Sequence, residues 1–168
     1  MTYANRRSAW IAGAVLVATG IAVAGCQTTE SVSAKDCLQA TPLPDPVAVA
    51  QPVGSVPEKY ARFSGIWGNG KWDDRLCHTL VVTSVEADGS AEVIYSHGVY
   101  AGWGIREAEY FDEWPAQIED GTLTLADSSF NANISYAYAD GKLEGTFIRN
   151  GESTVTLEKV RADAIPSS

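Results

Sequence analysis

Three cysteines, two histidines and one acidic run carry most of the reactive chemistry in this chain of 168 residues. His78 stands close behind Asp73 and Asp74, residue types that together can hold a metal ion. No spaced pattern such as His-x-x-x-His accompanies them, so no metal ligands are assigned. His97 falls in step with Tyr95 on the apolar side of an alternating segment and reads as a core histidine. Glu107, Glu109, Asp112 and Glu113 surround Tyr110 and Phe111. Paired carboxylates can do acid–base work or bind a cation. The same residues on a solvated strand edge resist the addition of another strand, and that reading is preferred. No Gly-x-Ser-x-Gly is present, so neither an enzyme nor a cofactor is expected.

Cys26 closes an uncharged apolar run, Trp10 to Gly25, that follows Arg6-Arg7. As a helix this run would span about 24 Å at ~1.5 Å per residue, short of a hydrocarbon core of ~30 Å. Gly13 and Gly20 weaken it further. Length and a basic amino end favour a removable signal over residues 1–25. Val23-Ala24-Gly25-Cys26 resembles the lipobox of bacterial lipoproteins: a branched apolar residue, two small residues, then cysteine. The resemblance implies cleavage before Cys26 and acyl chains, palmitate among them, on that residue. It implies a protein held to the membrane by lipid, outside the cytoplasm. Gln27 follows where an aspartate would signal inner-membrane retention, which points to the outer membrane facing the periplasm.

Removing residues 1–25 takes away Arg6, Arg7 and no acid. The 12 basic residues become 10 against 21 acids, and the net charge goes from −9 to −11. Such a chain is repelled by nucleic acid, which is excluded as a partner. With Cys26 lipidated, Cys37 and Cys77 form an even pair in an oxidising compartment, which favours a disulfide. The alternative is two unpaired thiols, one in an arm and one in a strand.

The elements that would position these groups are legible from period and punctuation. Residues 26–60 are rich in Pro, Ser and Thr, with Pro44-Asp45-Pro46 opposing helix, and read as a disordered, extended linker. Residues 61–161 alternate with period two, and 162–168 read as a flexible tail. Asp88-Gly89, Asp120-Gly121, Asp140-Gly141 and Asn150-Gly151 punctuate the alternation as hairpin turns, with φ above zero at both central residues. Strands are expected near 63–68, 77–86, 90–99, 104–112, 114–119, 122–126, 131–138, 142–149 and 153–160, the fourth and fifth being one bent strand in the eight-stranded count. Leu80-Val81-Val82 is apolar on both faces and calls for cover on both. The fold class is all-β: a small antiparallel up-and-down barrel of about eight strands, which removes exposed edges, with a two-layer sandwich as the alternative.

Gly65-Ile66-Trp67 resembles the Gly-x-Trp motif in the first strand of lipocalins, and the region resembles small, uncharacterised β domains of bacterial envelope proteins. The resemblance implies that Trp67 closes the barrel base and that a late arginine, Arg149, covers it. Tyr100 and Trp103 lie among Gly98, Gly102 and Gly104 and are the candidate contacts with a ligand or partner. The function expected is a noncatalytic binding or protein-interaction module of the envelope, with an unknown envelope protein or small ligand as partner. A small-ligand carrier would show an open cavity lined by Tyr136, Tyr138 and Phe147. A protease inhibitor is a further alternative, although the small-barrel inhibitors keep both cysteines within the barrel, and Cys37 lies before this one. An enzyme would need acids and histidine in one cleft.

Overall fold

Every strand follows the last by a hairpin or loop and pairs with it, and the eighth returns to the first. The computed structural model describes residues 36–126 and 130–165, so residues 1–25 and Cys26 lie outside the described residues. The strands are β1 (Gly65–Trp72), β2 (Leu76–Val85), β3 (Ser90–His97), β4 (Glu109–Glu119), β5 (Thr122–Leu125), β6 (Asn133–Ala139), β7 (Lys142–Ile148) and β8 (Glu152–Val160). They form a closed antiparallel barrel in sequence order, not a sandwich. Closure rests on a short ladder in which Ile66 faces Val160 and Trp67 faces Lys159. Gly70 lets β8 come close above that ladder. A Cβ there would stand 2.7 Å from Leu157 Cδ2 and would also strike the Thr156 carbonyl.

Alternation decides which residues fill the barrel. Val93 and Tyr95 of β3, Ile134 and Tyr136 of β6, Leu143 of β7, and Val155 and Leu157 of β8 are buried in one continuous core. Each such aliphatic side chain contributes roughly 1.5–3 kcal/mol by leaving water. Val99 leaves this register: it lies beyond β3 and is exposed. The expected strands 104–112 and 114–119 are one strand, β4, which starts only at Glu109. The ladder with β3 slips between Val93 and Tyr95, and Glu113 takes φ 50° there. That is a β-bulge, one extra residue bending the strand. Asp120-Gly121 and Asp140-Gly141 have φ above zero at both residues, as type I′ turns require. Asp88-Gly89 has it only at the glycine and Asn150-Gly151 at neither. Those two hairpins have longer loops, which do not need the type I′ geometry.

The segment expected as a disordered linker is, from residue 36 onward, a strap laid on the barrel. It opens with a short helix, α1 (Cys37–Ala40). Leu43, Val47 and Val49 then cover Ile66, Val81 and Ile94, an apolar row across the outer faces of β1, β2 and β3. Polar contacts fix its height: Thr41 Oγ1 lies 2.7 Å from Thr79 Oγ1, Ser96 Oγ donates to the Pro42 carbonyl at 2.6 Å, and the Ala50 amide donates to the Thr83 carbonyl at 2.8 Å. Cys37 and Cys77 are joined in a disulfide, closing a separation of 40 residues. Ile165, in the expected tail, packs on the same outer row. Strap and barrel then meet again: α2 (Glu58–Ala61) lies at one barrel end, where Tyr60, Ala61 and Phe63 pack into the core.

Candidate functional site

The two ends of the barrel are built differently. At the end with the β2–β3, β4–β5 and β6–β7 hairpins, α2 and the residues after it fill the opening. Trp67 is fully buried there. Its indole N–H donates to the Phe63 carbonyl at 2.7 Å, and its ring meets Tyr138 edge-on at 6.0 Å. The cation over Trp67 is Lys159, with Nζ 5.1 Å from the ring centroid, and Arg62 lies 4.5 Å from the Tyr138 ring. Arg149, expected over Trp67, is at the other end of the barrel. It sits in the β7–β8 hairpin, which turns at the opposite end from Trp67. Burial holds the Lys159 ammonium below its ordinary pKa.

A buried polar layer crosses the middle. The hydroxyl of Tyr95 accepts from Trp72 Nε1 at 3.1 Å. His78 is fully buried, with Nδ1 2.7 Å from the Ser96 carbonyl oxygen and Nε2 2.7 Å from the Tyr136 hydroxyl. A carbonyl oxygen only accepts, so Nδ1 carries the proton, Nε2 accepts, and Tyr136 donates. Burial lowers the His78 pKa to about 3, with the charge of His97 adding to it and the Ser96 bond opposing. The imidazole is therefore neutral at ordinary pH. Burial also raises the Tyr95 and Tyr136 hydroxyls well above the usual phenol. His78 is thus a structural member of the core and does not join Asp73 and Asp74. Asp73 instead accepts from Ser153 Oγ at 2.8 Å and from the Thr154 amide at 3.0 Å, tying two hairpins together. Among the described residues no cluster of three metal-ligating side chains occurs.

Above this layer the barrel is open. A cavity of about 470 Å³ is lined by Trp72, Leu76, Tyr95, His97, Trp103, Ile105, Phe130 and Phe147, with Arg149 to Ser153 at its rim. Its size falls within the range of small-molecule sites. His97 is the cross-strand partner of His78, so the two histidines are neighbours and not far apart. His97 Nδ1 donates to the Gly98 carbonyl at 2.9 Å. Of the acids, Glu109 is the cross-strand partner of His97, whereas Glu107, Asp112 and Glu113 pair with neither histidine; all four are exposed and none lines the cavity.

Trp103 forms part of the cavity wall and is 39% exposed. It lies in a single 3-10 turn, Ala101–Trp103, ended by Gly104 in the left-handed region. Tyr100 does not line the cavity. Its ring packs edge-on against Trp103 at 5.4 Å and supports it from behind. Gly102 is required between them, since a Cβ there would lie 2.6 Å from the Tyr100 ring. Of Tyr136, Tyr138 and Phe147, expected to line one cavity, only Phe147 does so. Tyr136 is buried in the layer below, and Tyr138 is at the filled end. Trp72, Leu76, Ile105 and Phe130 belong to the wall and were not anticipated. Trp72 was findable, because it lies two residues beyond inward-facing Gly70 on β1.

Comparison with family models, with curated proteins and with solved structures finds no match to this chain.

Proposed function

We propose that this chain is a lipid-tethered, noncatalytic binding module of the bacterial envelope, and that its binding site is the open end of the barrel. One observation carries the reading: a cavity walled by aromatic rings stands open at one end while the chain's own residues fill the other. A barrel serving only as a spacer gains nothing from leaving one end unpacked, because unfilled apolar walls forgo contact energy. The noncatalytic part is supported by the exposure of Glu107, Glu109, Asp112 and Glu113, none of which lines the cavity, and by the hydrogen bonds that occupy both ring nitrogens of His78. The cavity favours a small ligand over the protease-inhibitor alternative. The lipid tether is supported by the lipobox residues Val23 to Cys26 alone.

Two measurements test this. Protein purified from its native envelope should release a small molecule on denaturation, detected by mass spectrometry, and Phe147→Ala should release less. Recovery of no such molecule, together with no binding in a small-molecule fluorescence screen, would refute the binding site. For the tether, the intact mass of native protein should show acylation at residue 26, and Cys26→Ala should free the domain from the membrane fraction. An unacylated residue 26 would refute it.

A further inference from the structure

We infer that the open end of the barrel selects small acids: molecules with a flat apolar body for the cavity and an anionic group for Arg149. The inference deepens the binding reading above and rests on it. The body is specified by the walls. Trp72, Tyr95, Phe130, Phe147 and Trp103 surround the space, and ring faces favour flat or aromatic partners. Its depth is limited, since His78 and Tyr136 fill the section below and are fully buried. A long chain therefore has no channel to thread.

The charge is specified by the residues at the rim. On β7 and β8, Phe147 faces Ser153 and Ile148 faces Glu152. Phe147 lines the cavity and Ile148 is exposed. Cross-strand partners share a face, so Glu152 shares the side of exposed Ile148 and meets the cavity only at its rim. Arg149 comes next, in the turn beyond the ladder; it is exposed and lies at the cavity rim, with its amide bonded to the Gly151 carbonyl at 3.1 Å. Among the described residues the Arg149 guanidinium has no ion-pair or hydrogen-bond partner. Tyr95 adds a second donor at the floor. Its oxygen accepts from Trp72, and its own proton has no acceptor among the described residues. Donors at rim and floor call for a ligand with acceptor oxygens. The chain as a whole is acidic, so long-range attraction does not favour an anion, and the selection must come from contact with Arg149.

Two dyes of one frame provide the test: 1-anilinonaphthalene-8-sulfonate, and N-phenyl-1-naphthylamine, which lacks the sulfonate. Each is titrated by fluorescence into the mature domain and its variants. Phe147→Ala should weaken both dyes. Arg149→Gln, on an exposed hairpin, should weaken the sulfonate about three- to fivefold, as expected for a partly exposed ion pair. It should leave the neutral dye within about twofold. Glu152→Gln should leave sulfonate binding unchanged or tighter. Equal effects of Arg149→Gln on both dyes, or none on either, would overturn the acid preference while leaving the cavity in place. If neither dye binds the folded protein, or if Phe147→Ala changes neither, the site itself is wrong and the binding reading falls with it.

Discussion

Acidification should destabilise this barrel through His78 before most of its carboxylates are protonated. Folded His78 stays neutral down to about pH 3, whereas in the unfolded chain it takes a proton at its ordinary 6.5. Between those values the unfolded state holds the extra proton, so stability rises with pH. The His78 contribution is complete above pH 6.5 and is lost on acidification. The slope is about 1.4 kcal/mol per pH unit for one proton, or about 3 kcal/mol by pH ~4.5. That is a large share of the ~5–15 kcal/mol typical of a domain. Urea unfolding followed by tryptophan fluorescence, from about pH 7.5 down to about 4.5, measures it. His78→Gln keeps an amide that can donate toward Ser96 but cannot take up a proton. The variant should be less stable at neutral pH and should lose most of the slope between pH 6.5 and 4.5. Titrations elsewhere occur in both proteins and largely cancel in the difference. If the two curves run parallel, the buried imidazole is not the group that couples folding to pH, and the assignment of Nε2 as an acceptor loses its support.

Two further outcomes follow from packing and covalent structure. Gly70→Ala should destabilise by about 1–3 kcal/mol, because the new methyl meets Leu157, Val155 and the Thr156 carbonyl at the β1–β8 closure. A urea midpoint unchanged from wild type would show that the closure is looser than these distances require. Replacing Cys37 and Cys77 together by serine should lower stability by about 3–4 kcal/mol in the chain-entropy picture for a loop of 40 residues. Free-thiol titration of the unreduced protein should find neither Cys37 nor Cys77. A reactive thiol at either position contradicts the pairing.

Much of this fold was legible because a half-buried sheet states itself in period two. Tyr95 and Tyr136 face inward as the alternation requires. The residues between 104 and 119 were harder, because one bulge at Glu113 inverts the alternation and makes one strand read as two. The strap was the larger misreading. Prolines exclude helix and suggest a solvated arm, yet an extended chain still presents a side chain at every second position. Leu43, Val47 and Val49 use that to cover Ile66, Val81 and Ile94. The clue was on the barrel side: Leu80-Val81-Val82 is apolar on both faces, so something had to lie outside it.

The candidate site was half legible for a related reason. Alternation tells which side chains point into a barrel but not at what height, and height decides whether a residue is wall, floor or plug. Tyr136, Tyr138 and Phe147 share the inward face and were expected together, yet they belong to the floor, the filled end and the cavity respectively. Height is set by strand register and by whatever enters from the ends, and the entering segment here is the chain's own strap and α2. The Cys37–Cys77 disulfide joins the start of that strap to the beginning of strand β2 at the open end, and α2 plugs the other. One continuous segment therefore runs from mouth to base along the outside, and it fills only the end at which it arrives. The open mouth is a consequence of where that segment stops, and its aromatic walls are what a ligand would have to match.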